Sequence, residues 1–134
     1  MSADNLPPSV GFNNFVGYKV SEWGVDHACV TLEMDTHHLN SLGVSHGGVL
    51  LSALDYACGM SGCYRVPPQE RRLCMTLSLT TNFVSPLHDG LLRATAVRVG
   101  GGKSTFFSDG KIIDEEGKLI ASATGTFRLL SEKQ

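Results

Sequence analysis

Charge of one sign is what this sequence most lacks: 11 Lys and Arg face 13 Asp and Glu, for a net charge of −2. Wholesale nucleic-acid binding needs a strong basic field, so it is not expected. Charge of either sign is modest, 18% of residues against 42% hydrophobic, the balance of a folded protein rather than a disordered one. C-x-x-C spacing is missing too. Cys29, Cys58, Cys63 and Cys74 read as buried free thiols in a reducing cytoplasm, with no base or cation close in sequence to make a thiolate nucleophile. Residues 1–10, MSADNLPPSV, have neither the basic start nor the apolar stretch of a secretory signal, and cytoplasmic localisation is expected. The longest apolar run is slightly short for a bilayer and carries a carboxylate, so no membrane association is expected. The glycines at 100–102 do not have the G-x-x-x-x-G-K-[ST] spacing of a P-loop.

What the 134 residues do contain is that apolar run, HGGVLLSALDYACGMSGC over residues 46–63, opened by two glycines. It predicts a helix apolar nearly all round, which belongs in a core or at a subunit contact. Asp55 is its anomaly. An unpaired buried carboxylate costs several kcal/mol, roughly, so Asp55 is expected to be hydrogen-bonded, paired, protonated or at an opening. At helical spacing it shares a side with Ser52, Cys58, Gly59 and Gly62, small enough to wall a cleft.

The rest reads as a wrapper, in one domain spanning 1–134 with 1–9 polar, proline-bearing and loose. Residues 10–16 predict a short helical turn setting Phe12 and Phe15 on the core. Residues 17–34 read as two strands with a turn or bulge at Trp23-Gly24. Residues 35–45 are a polar loop, and the helix should end before Pro67-Pro68. Residues 73–84 alternate Thr76, Ser78, Thr80 and Asn82 against Leu77, Leu79, Thr81 and Phe83. Strands follow at 91–99, 104–114 and 118–130, joined by hairpins at the glycine run and at 114–117. The last has a small-residue face, Ala121, Ala123 and Gly125, for the helix to approach. The order gives an α+β layer fold, one long helix against a curved antiparallel sheet. Apolar helix surface left uncovered predicts a dimer contact.

This order, with Asn40 six positions before His46-Gly47-Gly48 and Asp55 seven positions after Gly48, resembles the hotdog-fold acyl-CoA thioesterases. It looks most like the branch of phenylacetate-degradation (PaaI-type) enzymes, human thioesterase superfamily members and 4-hydroxybenzoyl-CoA thioesterase-like proteins. The strand 117–127, GKLIASATGTF, is typical of that family. The resemblance implies hydrolysis of an acyl-CoA to acid plus CoA, the acyl group being aryl, phenylacetyl or medium-chain. No separate cofactor is implied, since CoA belongs to the substrate. Gly47 would polarise the thioester carbonyl through its N–H. Asp55 would attack it or activate water, Asn40 would help hold the carbonyl or water, and Thr76 would position the water. A homotetramer built from two dimers is also implied.

Chemistry asks for the same parts. Thioester hydrolysis needs a donor aimed at the developing oxyanion and a base or nucleophile at the carbon. A helix start supplies unpaired N–H groups, and Gly47 and Gly48 let a substrate approach. Gly47 and Asp55 lie eight positions apart, about 12 Å along one helix. One carbonyl cannot touch both, so the expectation is a homodimer with composite sites made by two antiparallel helices. His46 is expected to shape the helix start. Its neighbours His37 and His38 lack carboxylate or Cys at ligand spacing, so no metal is expected. For the CoA phosphates, Arg98 and Lys103 at the glycine turn come first, ahead of Arg65, Arg71 and Arg72. Two alternatives share the fold: a hydroxyacyl-thioester hydratase or dehydratase, and a non-catalytic acyl-CoA-binding protein.

Overall fold

In a computed structural model, which describes residues 6–131, a short helix α1 (Gly11–Val16) leads to strands β1 (Lys19–Gly24) and β2 (His27–Glu33). A 3-10 turn (Thr36–His38) precedes the long helix α2 (Gly47–Ser61). Four strands follow: β3 (Cys74–Phe83), β4 (Leu91–Gly101), β5 (Thr105–Ile113) and β6 (Leu119–Leu129). They form one six-stranded sheet in the order β1-β2-β4-β5-β6-β3, every pairing antiparallel. This is the α+β hotdog arrangement, with α2 lying against the sheet.

The helix is more two-sided than its composition suggests. Leu50, Ala53, Leu54, Ala57 and Cys58 are buried at the i, i+3, i+4 rhythm of one face. Leu51 on the other side is 39% exposed, and Ser52 and Asp55 beside it are only half-buried. Asp55 is thus on the face the sheet leaves open, not inside the core. The helix sits close against Gly110 of β5, where a β-carbon would come 2.8 Å from Cys58 Sγ and 3.2 Å from Leu54 Cδ2. The expectation for β6 needs correction here. Ala121 and Ala123 are buried, but what crowds Gly125 is Phe127 and Leu79 rather than the helix.

Hydrogen bonds pin α2 near both ends. Tyr18 OH donates to Val49 O at 2.6 Å, and Trp23 Nε1 donates to Met60 O at 2.8 Å. Near the C-terminus Ser61 Oγ donates to Cys58 O at 2.7 Å and meets Ser108 Oγ of β5 at 2.8 Å. Trp23 is therefore a buried strand residue, and the β1–β2 turn falls at Val25 and Asp26, the latter with φ 60°. A bulge lies earlier, between Val20 and Glu22.

The expectation for Phe12 and Phe15 fails. Phe12 and Phe15 are 62% and 83% exposed; α1 is under two turns long and no residue of it is buried. Residues 1–5 lie outside the described residues, but the next few are tied down. Leu6 packs against the core, and Ser9 Oγ donates to Tyr18 O at 2.6 Å and lies 3.1 Å from Tyr56 OH.

One irregularity in β3 has the largest effect on the site. Strict alternation would group Thr76 with Ser78. A register shift between them breaks the alternation: Thr76 sits opposite the buried Phe127, whereas Ser78 sits opposite Thr126. The bulge turns Thr76 to the helix side of the sheet, alongside Leu79, Thr81 and Phe83. Among the described residues the outer edge of β3 has no partner strand, since β6 is its one neighbour.

Candidate active site

The loop before α2 is built to present the helix start. His38 is buried, its Nδ1 accepting from Asp35 N at 2.9 Å and its Nε2 meeting Val16 O at 2.7 Å. The first contact fixes the tautomer, so Nε2–H is the donor to Val16 O. His46 N then donates to His38 O at 2.9 Å and Ser45 N to Leu87 O at 2.7 Å. Asn40 folds its side chain back onto this loop, its Oδ1 accepting from Leu42 N at 2.9 Å and Val44 N at 3.3 Å. Only its amide N–H groups remain to meet anything else.

His46 is the N-cap of α2, its Nδ1 accepting from Gly48 N at 2.8 Å. That bond uses up the Gly48 N–H, so Gly48 is no carbonyl donor. Val49 N and Leu50 N turn to His46 O. Among the described residues no acceptor meets the Gly47 N–H, and Gly47 is half-exposed. It opens onto a pocket of about 350 Å³ bordered by Leu50, Phe83, Val84 and Pro86.

Asp55 opens onto a different cleft, of about 180 Å³, shared with Tyr56, Thr76, Arg71, Cys63 and Cys74. Thr76 Oγ1 donates to Asp55 Oδ1 at 2.6 Å, a short charge-assisted bond that fixes the carboxylate plane and leaves Oδ2 unclaimed by that hydroxyl. Arg71 reaches Met60 Sδ at 3.7 Å along the same wall. Cys63 and Cys74 share this wall, Cys74 Sγ donating to Gly59 O at 3.6 Å. Cys74 beside it, helped by Arg71 and Arg72, lowers the Cys63 thiol, and Cys63 together with burial raises Cys74. Burial pushes Cys58, on the sheet side, up to about 11.

Of the residues singled out in the sequence, Asp55 and Thr76 come together, and Gly47 lies in the other pocket, as the helical spacing requires. Arg98 and Lys103 join neither. Arg98 is held by its own hairpin, donating to Gly100 O and Gly102 O at 3.3 Å each, 5.4 Å above the Phe106 ring. The glycine run is spent on that turn: Gly102 N donates to Thr105 O, and Gly101 has φ 129° with no room for a β-carbon. Arg71 is the cation in the Asp55 cleft; no sequence signal ranked it above the other arginines. Another cavity, of about 610 Å³ beside His88, Asp89, Asp114, Glu115, Glu116 and Lys118, is mostly acidic and ill suited to a polyphosphate.

The family model described as "Thioesterase superfamily" matches residues 42–121, a span that holds Gly47, Asp55 and Thr76. The chain belongs to the thioesterase superfamily. Thioester hydrolysis is accordingly its reaction class. Among superfamily relatives, a 1,4-dihydroxy-2-naphthoyl-CoA hydrolase of Listeria monocytogenes is 26% identical over 125 residues, covering 93% of this chain and 100% of that protein. A mutant form of the phenylacetic acid degradation protein PaaI of Thermus thermophilus superposes with TM-score 0.78 at 31% identity, covering 89% of this chain and 98% of that one. The PaaI protein from the phenylacetic acid degradation operon of E. coli gives TM-score 0.76 at 25% identity, covering 89% and 83%. Among the described residues no helix is long and apolar enough to cross a bilayer.

Proposed function

We propose that the chain hydrolyses acyl-CoA thioesters, with an aryl, phenylacetyl or medium-chain acyl group, at sites shared between two copies. The observation that carries this is the division of labour along α2. A free N–H at Gly47 and a hydroxyl-braced carboxylate at Asp55 each border a pocket, about 12 Å apart on one helix. Two antiparallel copies of α2 related by a two-fold axis bring Gly47 of one copy to Asp55 of the other, twice. The unpaired edge of β3 and its exposed Met75 and Leu77 support such a pairing. A tetramer of two such dimers is part of the same reading, and the cytoplasm is its compartment.

In that site the thioester oxygen accepts from Gly47 N–H, which strengthens as negative charge develops on it. Asp55 either takes a proton from the water that attacks the carbonyl carbon or attacks the carbon itself. When water attacks, the C–S bond breaks, the acid keeps the water's oxygen and the CoA sulfur takes the proton from Asp55. When Asp55 attacks, the C–S bond breaks to a mixed anhydride, the thiolate takes a proton from water, and a second water hydrolyses the anhydride to the acid and the free carboxyl group. Thr76 holds Oδ1 of the carboxylate, so the oxygen that works is Oδ2. Arg71 stands where CoA phosphates need a cation. Asn40 offers its amide N–H to the carbonyl or water, and His46 sets the geometry of the Gly47 turn. The Listeria relative named for 1,4-dihydroxy-2-naphthoyl-CoA, and the PaaI proteins of phenylacetic acid degradation, support an aromatic acyl-CoA among the candidates.

Thiol release from a panel of acyl-CoAs tests the reading. Asp55→Asn should lose turnover by about 10²–10⁴-fold while still binding acyl-CoA. Turnover near the parent's in that variant would remove Asp55 from the chemistry. Loss of enoyl absorbance from crotonyl-CoA without thiol release would replace hydrolysis with hydration.

A further inference from the structure

Phe83 is a large apolar ring left in the open. It ends β3 on the helix side of the sheet, opposite Ala121, yet 57% of it is exposed. Its Cε1 and Cζ lie 3.7 Å from where a β-carbon on Gly47 would stand. A phenyl ring therefore borders the N–H at the helix start that has no acceptor among the described residues. The pocket they share is walled by Leu50, Val84 and Pro86, and among the described residues no Lys, Arg, His, Asp or Glu lines it.

Polarity sorts the two arms of a thioester here. The CoA arm brings phosphates and needs a cation; among the described residues, Arg71 is the cation bordering either pocket, and it lies in the Asp55 cleft. The acyl arm is hydrocarbon and belongs against uncharged walls. With the carbonyl oxygen on Gly47 N–H, the acyl arm falls within reach of the Phe83 ring. An alkyl chain gains only buried area from that ring, whereas a flat aromatic group adds a stacked or edge-to-face contact.

We propose that Phe83 is a specificity-determining residue and that it favours aromatic acyl groups, benzoyl or arylacetyl, over alkyl chains of similar size. This rests on the hydrolase reading above.

The test is the ratio of kcat/KM for phenylacetyl-CoA to that for hexanoyl-CoA, read by thiol release in the parent, Phe83→Leu, Phe83→Ala and Phe83→Tyr. The ratio should fall about tenfold in the Leu and Ala variants, and stay within about twofold of the parent in Phe83→Tyr, which keeps the ring. Phe83→Leu preserves apolar bulk and keeps the ratio readable if Phe83→Ala folds poorly. A purely structural role would lower both substrates together. An unmoved ratio in Phe83→Leu therefore overturns the assignment of Phe83 and leaves hydrolysis standing. A folded parent that releases thiol from none of the acyl-CoAs overturns the hydrolase reading and this inference with it.

Discussion

The Thr76 hydroxyl donates to Asp55 Oδ1 at 2.6 Å, across 21 positions of sequence and from strand to helix. A hydrogen bond to a charged group is worth about 1.5–3 kcal/mol. Thr76→Ala should therefore lower kcat by roughly 10- to 100-fold with a smaller change in KM, while Thr76→Ser, which keeps the hydroxyl, recovers most of it. Steady-state thiol release on the three proteins decides; equal rates in parent and Thr76→Ala would make the bond incidental.

A shared site predicts rescue between two dead proteins. Gly47→Pro removes the N–H at the first helical position, where proline is tolerated, and Asp55→Ala removes the carboxylate. Refolding them together in equal amounts should yield about a quarter of the parent's activity, since half the dimers are mixed and each mixed dimer has one complete site. A mixture as inactive as its components would mean that each chain works alone.

The His46 cap is separable from the chemistry by its stability signature. His46→Ala strips the acceptor from Gly48 N, which should cost about 1 kcal/mol, or roughly 4 °C in Tm for a chain of this size. His46→Asn, a strong N-cap residue, should restore the Tm. Thermal unfolding followed by circular dichroism reads both.

The seat of the helix at Gly110 can be tested with one methyl. A β-carbon there meets Cys58 Sγ at 2.8 Å and Leu54 Cδ2 at 3.2 Å, so Gly110→Ala should destabilise by about 1–3 kcal/mol through overpacking. Gly117→Asn is the control: a β-carbon on Gly117 would meet nothing within 4 Å, and its φ of 84° suits asparagine better than other residues. Urea unfolding midpoints should separate the two.

Tyr18 carries an alkaline signature. Burial raises its hydroxyl from 10.0 to about 12. The unfolded chain ionises first as pH climbs, so stability from this group is complete below pH 10 and drains away toward 12. Ultraviolet titration should show one phenolate forming about two pH units late, and Tyr18→Phe should delete that step.

Much of this was legible in the residues. Gly47-Gly48 behind a polar loop announced a bare helix start, and the eight-residue interval to Asp55 showed that one helix could not bring both to a single carbonyl. Periodicity could not show the β3 bulge. Counted by alternation, Thr76 belongs with Ser78 on the outer face, and only the resemblance pointed to it. Phe12 and Phe15 misled for a related reason: apolar character says what a residue would gain from cover, not whether six residues of α1 find any. The basic residues misled because a guanidinium follows the carbonyls nearest to it, and Arg98 has two in its own hairpin.

The bonds from Tyr18 to Val49 and from Trp23 to Met60 fasten α2 to β1 and its approach at both extremities. A rod clamped at each end cannot swing to admit one molecule and expel another. Entry and exit are then left to the side chains rimming the two pockets, Phe83 and Arg71 among them, while the interval between Gly47 and Asp55 stays fixed from one turnover to the next.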